Sequence, residues 1–343
     1  MSTHRTPARV AARSSAGPRR GLLIGCALLA GVSLHTPASA APDPDTTAAP
    51  RYLAGHLFTP STLVPDPFIA TSFATTTAGG RAVNLKIPIY NLRGDQINEV
   101  SGDMGFVLLE FNYEQRLATR YALRIAVNGG ARLGTTPPSF LADGVSSIFG
   151  YGLGGSMRLV EKHNWQLAGT LDLRSNSLTT VSPVGIVKSA FEQSRNNDTT
   201  GAVIADSLLE TGNNLRVLIG GRAAYAPAPW VGLTAFVEGG LGQRFQEAGN
   251  LGVINLGFAA DFDMNPLRRL PIGFLVSFRS ESLTERSEDI GGGLQSYGFG
   301  VFYTGRRWFS LGLENTYQRL DQVATGSSAD IVQSRIVMRY DFN

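Results

Sequence analysis

From Arg81 onward the chain is written in segments of about ten residues in which apolar and polar side chains take turns. A period of two sends successive side chains to opposite faces of a strand. In RYALRIAVNGGARLG, Tyr121, Leu123, Ile125, Val127, Ala131 and Leu133 share one face, and Arg120, Arg124, Asn128 and Arg132 the other. In NWQLAGTLDLRS, Trp165, Leu167, Leu171 and Leu173 oppose Gln166, Thr170, Asp172 and Arg174. INLGFAADFD and WFSLGLENTYQ repeat the pattern. Two folds use such strands. A soluble β-sandwich turns its oily face inward, whereas a membrane-spanning barrel turns it outward.

The links between segments choose between them. The alternation predicts strands near 81–90, 104–115, 119–133, 147–160, 165–175, 214–226, 230–244, 251–263, 271–281, 295–304, 307–319 and 332–343. Short turns at the start of EQRLAT and at EKHN, APAP, NPLRRL and GRR alternate with long polar links at 91–103, 134–146, 176–213, 282–294 and 320–331. The link at 245–250 is the one short member of the long set. Bacterial barrels have this rhythm, with short periplasmic turns and long outer loops. Aromatics gather near segment ends, at Tyr121, Trp165, Tyr225, Trp230, Tyr303, Trp308 and Tyr340, where an interfacial girdle lies. The segments are also longer than usual sandwich strands. The expected fold is all-β, an antiparallel transmembrane barrel spanning 81–343 with about twelve strands. It has fourteen if RYLAGHLF and PFIATSFAT also cross the membrane.

Residues 1–40 read as a secretory signal. MSTHRTPARVAARSSAGPRR carries five arginines and no acid, GLLIGCALLAGVSL is apolar, and Ala38-Ser39-Ala40 offers a small-residue cleavage site. Residues 41–80 are then a periplasmic extension, a plug, or the two extra strands. Removing the leader takes 30 basic against 27 acidic residues to 25 against 27, a net −2. No nucleic-acid partner follows from that balance. Cys26, the only cysteine, leaves with the leader, which excludes disulfides and thiolate metal sites from the mature chain.

The chain ends on SRIVMRYDFN, where Ile336, Met338, Tyr340 and Phe342 alternate with Arg335, Val337, Arg339 and Asp341. This ending resembles the last strand of bacterial outer-membrane β-barrel proteins, whose alternating aromatics the barrel-assembly machinery reads. Tyr340 and Phe342 match that assembly signal, while Asn343 stands where the family ends on the aromatic. The resemblance implies residence in the bacterial outer membrane among its lipid and lipopolysaccharide, with the assembly machinery as a partner. It implies no activity.

No cofactor or metal is expected. GYGLGGS matches the dinucleotide fingerprint in form, but SMRLVEKHNW alternates and turns where the fingerprint needs a helix. The mature chain keeps two histidines, His56 in the extension and His163 in a turn, so general acid/base catalysis is not expected at the outer rim.

Strand parity sends Glu110, Arg124, Arg132, Arg158, Asp172, Arg174, Arg216, Arg222, Glu238, Asp261, Asp263, Arg279, Glu314 and Arg335 inward. An Arg facing hydrocarbon at the midplane would cost about 2–4 kcal/mol. Two readings stay open: an ion-pair network that stiffens a narrow lumen, and a polar conduit whose charges select solutes.

The link 176–213 is the other individual feature. SPVGIVKSAFEQS places Val184, Val187 and Phe191 on one helical stripe after Ser182 and Pro183, and GAVIADSLLETG does the same for Ile204 and Leu208. The expected function is passive passage of a small-molecule solute, gated by that loop as a constriction. The alternative is a closed structural or adhesive barrel presenting its loops.

Overall fold

The computed structural model describes residues 51–90, 96–135, 145–181, 209–243, 250–283, 293–322 and 327–342. Two short strands come first, β1 (Tyr52–Leu53) and β2 (His56–Leu57). Twelve long ones follow: β3 (Thr71–Tyr90), β4 (Gln96–Ala118), β5 (Tyr121–Gly134), β6 (Val145–Lys162), β7 (Trp165–Val181) and β8 (Leu209–Ala228). They continue as β9 (Val231–Gln243), β10 (Asn250–Asp263), β11 (Ile272–Leu283), β12 (Gly293–Arg306), β13 (Phe309–Gln322) and β14 (Ser327–Phe342). A four-residue helix, α1 (Asn265–Arg268), sits in the turn between β10 and β11.

Each long strand pairs antiparallel with the next, and β14 closes on β3 in a register running from Phe342↔Thr71 to Asp330↔Val83. A closed antiparallel barrel of twelve strands results. Closure satisfies the backbone of every strand, and a sheet with open edges has no place in lipid.

The oily face points out. Phe111, Ile125, Leu153, Leu171, Ile219, Val237, Leu256, Val276, Phe299, Leu313 and Ile336 are all exposed, one from each strand β4 to β14. Each such side chain left in water forgoes about 1.5–3 kcal/mol of burial, so this surface requires an apolar surrounding. On β4 the exposed apolar positions run from Val107 to Leu117. Ten residues at ~3.3 Å, tilted ~40°, give a band about 25 Å tall, the height of a membrane barrel's belt. At the turn end Tyr121, Tyr225, Trp230, Tyr303 and Tyr340 are exposed, with Trp165 and Trp308 half-buried beside them. The sandwich alternative falls.

Several strands run longer than the sequence reading placed them: β4 starts at Gln96 rather than near 104, and β14 at Ser327 rather than near 332. The first barrel strand starts at Thr71, not near 81, because its outward residues Phe73, Thr75, Thr77 and Gly79 make only a faint apolar stripe. The supposed loop 176–213 is strand at both ends: Asn176 pairs with Asn214, and Val181 with Leu209. Residues 209–212, read as the end of an amphipathic helix, therefore belong to β8. Nor do 51–70 add two strands to make fourteen. They lie inside the barrel, where Leu53, Phe58, Phe68, Ala224 and Ala226 form one apolar cluster and Leu63, Val64, Phe236, Ala259, Leu275, Phe302 and Val337 another.

Candidate functional site

The lumen is stoppered from the turn end by residues 51–70. β1 and β2 form a tight hairpin whose corner residues Ala54 and Gly55 both take positive φ, 47° and 89°. Two left-handed residues suit the twist of a two-residue hairpin. The Ala54 N–H donates to the His163 carbonyl in the β6–β7 turn, and the Arg307 guanidinium stacks 4.5 Å from the Tyr52 ring centroid. These contacts fix the plug's mouth among the turns.

From there the chain climbs into the barrel. His56 is fully buried, with Nδ1 3.3 Å from the Pro229 carbonyl and Nε2 bonded to Asp261. The Thr59 N–H donates to the other Asp261 oxygen at 3.2 Å. At the tip, the Thr62 N–H reaches Glu314 at 3.0 Å and its hydroxyl accepts from Arg335 at 2.6 Å. Leu63 and Val64 fill the apolar nest described above. The chain then returns: Asp66 pairs with Arg339 at 2.8 Å, and the Pro67 carbonyl accepts from Gln166 at 2.8 Å. Phe68 packs back on Phe58, ring centroids 5.1 Å apart, before Thr71 opens β3.

Arg51 completes the plug. Its guanidinium holds Asp341 at 2.9 Å, the Ser310 hydroxyl at 2.9 Å and the Phe58 carbonyl at 2.6 Å. Burial pulls this guanidinium below its ordinary value, and the adjacent Asp341 charge pulls the other way.

The wall makes room with glycines. A Cβ at Gly232 would strike the His56 imidazole and the Phe58 ring; one at Gly298 would sit 3.1 Å from Leu63. The same applies at Gly273, 3.2 Å from the Thr59 methyl.

Against the plug lies a charge lattice. Arg124 bonds Asp172 at 2.5 Å; Arg174 bridges Asp172 and Glu238 at 3.1 and 3.3 Å. Arg222, nearly buried, reaches both carboxylates at 3.2 and 3.4 Å and points Nη1 at the Asp66 carbonyl, 3.5 Å below. Nearer the loop end, Arg216 and Arg279 share Glu281 at 2.7 and 3.4 Å.

The residues placed inward from parity thus divide. Arg124, Asp172, Arg174, Arg222 and Glu238 form one lattice, and Arg216 and Arg279 meet through Glu281. Asp261, Glu314 and Arg335 serve the plug. Asp263 ties the turn end together through Thr304 and the Asn265 N–H. Arg158 pairs locally with Glu161, Glu110 accepts from Asn112 at 2.6 Å, and Arg132 is half-buried on β5. Val184, Val187, Phe191, Ile204 and Leu208 lie outside the described residues, as do Ala38 and Ala40. Tyr340 and Phe342 stand on the outer face with ring centroids 4.8 Å apart, and Tyr340 also meets Trp308. The sequence reading missed Arg51, Thr62 and Asp66, and put Gln166 on a polar face without its partner Pro67, because these contacts are remote in sequence.

No protein-family model matches the chain, and neither does any curated protein. Among solved structures, it is similar to an outer-membrane channel from Pseudomonas putida F1 at 10% identity and TM-score 0.49, over 83% of this chain and 100% of that one. It is similar to the translocator domain of the autotransporter NalP from Neisseria meningitidis at 12% and 0.47, over 80% and 89%. A FadL homologue from Pseudomonas aeruginosa gives 10% and 0.47, over 85% and 96%. At such identities and scores these likenesses carry no argument about function.

Proposed function

We propose that the chain, delivered by cleavage after Ala40 and recognised through Tyr340 and Phe342 by the assembly machinery, is a bacterial outer-membrane conduit for a small polar solute. It rests closed, with residues 51–70 as its inner door and the short turns on the periplasmic side. One observation carries this reading: a tethered segment enters the lumen from the turn end and meets a polar lattice there. An interior closed by side chains alone belongs to barrels of about eight strands, and twelve enclose more space. Here the extra space is taken up by a segment joined to the wall by two apolar clusters and by hydrogen bonds and ion pairs.

The 182–208 loop is the proposed second barrier, at the loop end. The proposal includes no catalysis: the His56 imidazole is engaged by the plug's own docking. A second reading, a permanently closed barrel that presents its loops, draws support from the full burial of the Arg51–Asp341 latch.

Planar-bilayer recording separates the two. The wild type should show rare openings, Arg51→Ala combined with Asp66→Ala should open persistently, and deletion of 184–206 should raise conductance further. Silence from all three would end the conduit reading.

A further inference from the structure

In the two upper charge groups the guanidinium side chains are more exposed than the carboxylates they pair with. Arg124 and Arg174 leave 23% and 32% of their side chains open against 4% and 1% for their partners Asp172 and Glu238, and Arg216 and Arg279 leave 25% and 22% against 17% for Glu281. Five arginines, counting Arg222, meet three carboxylates in two neighbouring groups, three arginines on Asp172 and Glu238 and two on Glu281, so within these ion pairs each group carries one more positive charge than negative. Removing charge from water without a partner is costly. In register between Glu238 and Glu281 on neighbouring strands stands Asn255, 1% exposed on the inward face, with neither amide atom hydrogen-bonded. Arg174 reaches Glu238, and Arg216 and Arg279 reach Glu281, the two residues between which Asn255 stands.

Resting on the conduit reading, we infer that this lattice is a binding site for a small oxyanion, a carboxylate or a phosphate, which the solute must carry. A guanidinium fork matches either group with two parallel hydrogen bonds. The Asn255 amide supplies a further donor. A cation is disfavoured, because every carboxylate in the set already has an arginine against it.

The test does not need conduction. Malonate and inorganic phosphate are titrated separately by calorimetry into the full chain, folded in a neutral detergent. At least one should bind saturably, and which one does identifies the source of the oxyanion. Arg216→Gln and Arg279→Gln should each weaken binding about tenfold, each leaving Glu281 its other arginine. Arg81→Gln, outside the lattice, should change nothing. Arg216→Lys keeps the charge but loses the fork, and should give an intermediate loss if the variant with Gln misfolds. No saturable heat from either anion, or binding indifferent to Arg216 and Arg279, overturns the site. A silent bilayer with intact anion binding would instead overturn only the conduit.

Discussion

Arg51 and Asp341 lie 290 residues apart and form a fully buried ion pair, 2.9 Å long, inside the barrel. The pair belongs to a row. Along β14 every inward residue from Arg335 to Asp341 meets the plug: Arg335 at Thr62, Val337 in the cluster with Leu63 and Val64, Arg339 at Asp66, and Asp341 at Arg51. β14 is also the strand that closes on β3, into which the plug runs directly. The plug therefore straps the barrel's closing seam from within, as well as blocking its lumen.

Breaking the latch should be felt throughout. Removing one partner of a buried pair typically costs about 3–5 kcal/mol. In Arg51→Ala, Arg339 still holds Asp341 at 2.9 Å, so the lower end of that range is expected. Urea unfolding in lipid vesicles measures it. The double variant Arg51→Ala/Asp341→Ala should cost less than the sum of the two single changes, since the uncompensated charge is gone.

The apolar tip offers a charge-free comparison. Leu63 is buried among Phe236, Leu275 and Phe302. Leu63→Ala should destabilise by about 2–5 kcal/mol through lost transfer and a residual cavity. Melting in detergent reads the loss, and an unchanged transition would place Leu63 outside a packed core.

How much of this was legible in the sequence depends on the range of the contacts. Alternation in 121–133 or 251–263 is local, and it assigns faces without any knowledge of neighbours. β3 was half-hidden, because Thr75 and Thr77 look out where other strands show Leu or Phe. The plug was the hardest part. His56 read as a spare histidine in an extension, since nothing near it in the chain announces Asp261, 205 residues away. The available signals were the Ala54-Gly55 corner and the small residue Gly232, which proves to be the socket for His56 and Phe58.

The outer face can be tested by charge. Leu256→Arg puts a cation on a lipid-facing position near the middle of β10 and should cost about 2–4 kcal/mol in vesicles. Introducing arginine at Leu267, exposed in the short turn helix beyond the belt, should cost little. Equal penalties at both sites would contradict a lipid belt at this height.

The sockets allow the plug to be expelled without cutting the chain. Gly232→Leu fills the space that His56 and Phe58 occupy, while its β9 backbone pairing with Asp261 on β10 needs no side chain. The twelve-strand hydrogen-bond ladder should therefore survive, as judged by strand circular dichroism and by unaltered mobility on a gel run without heating. The undocked segment should instead become open to trypsin at Arg51, which is wholly buried when the plug is seated. Cleavage there should be fast in Gly232→Leu and slow in Gly232→Ala, whose smaller side chain asks less movement of the imidazole and ring. Equal resistance in all three proteins would mean that the plug does not depend on this socket, and that its seat is set by Arg51, Asp66 and the tip alone.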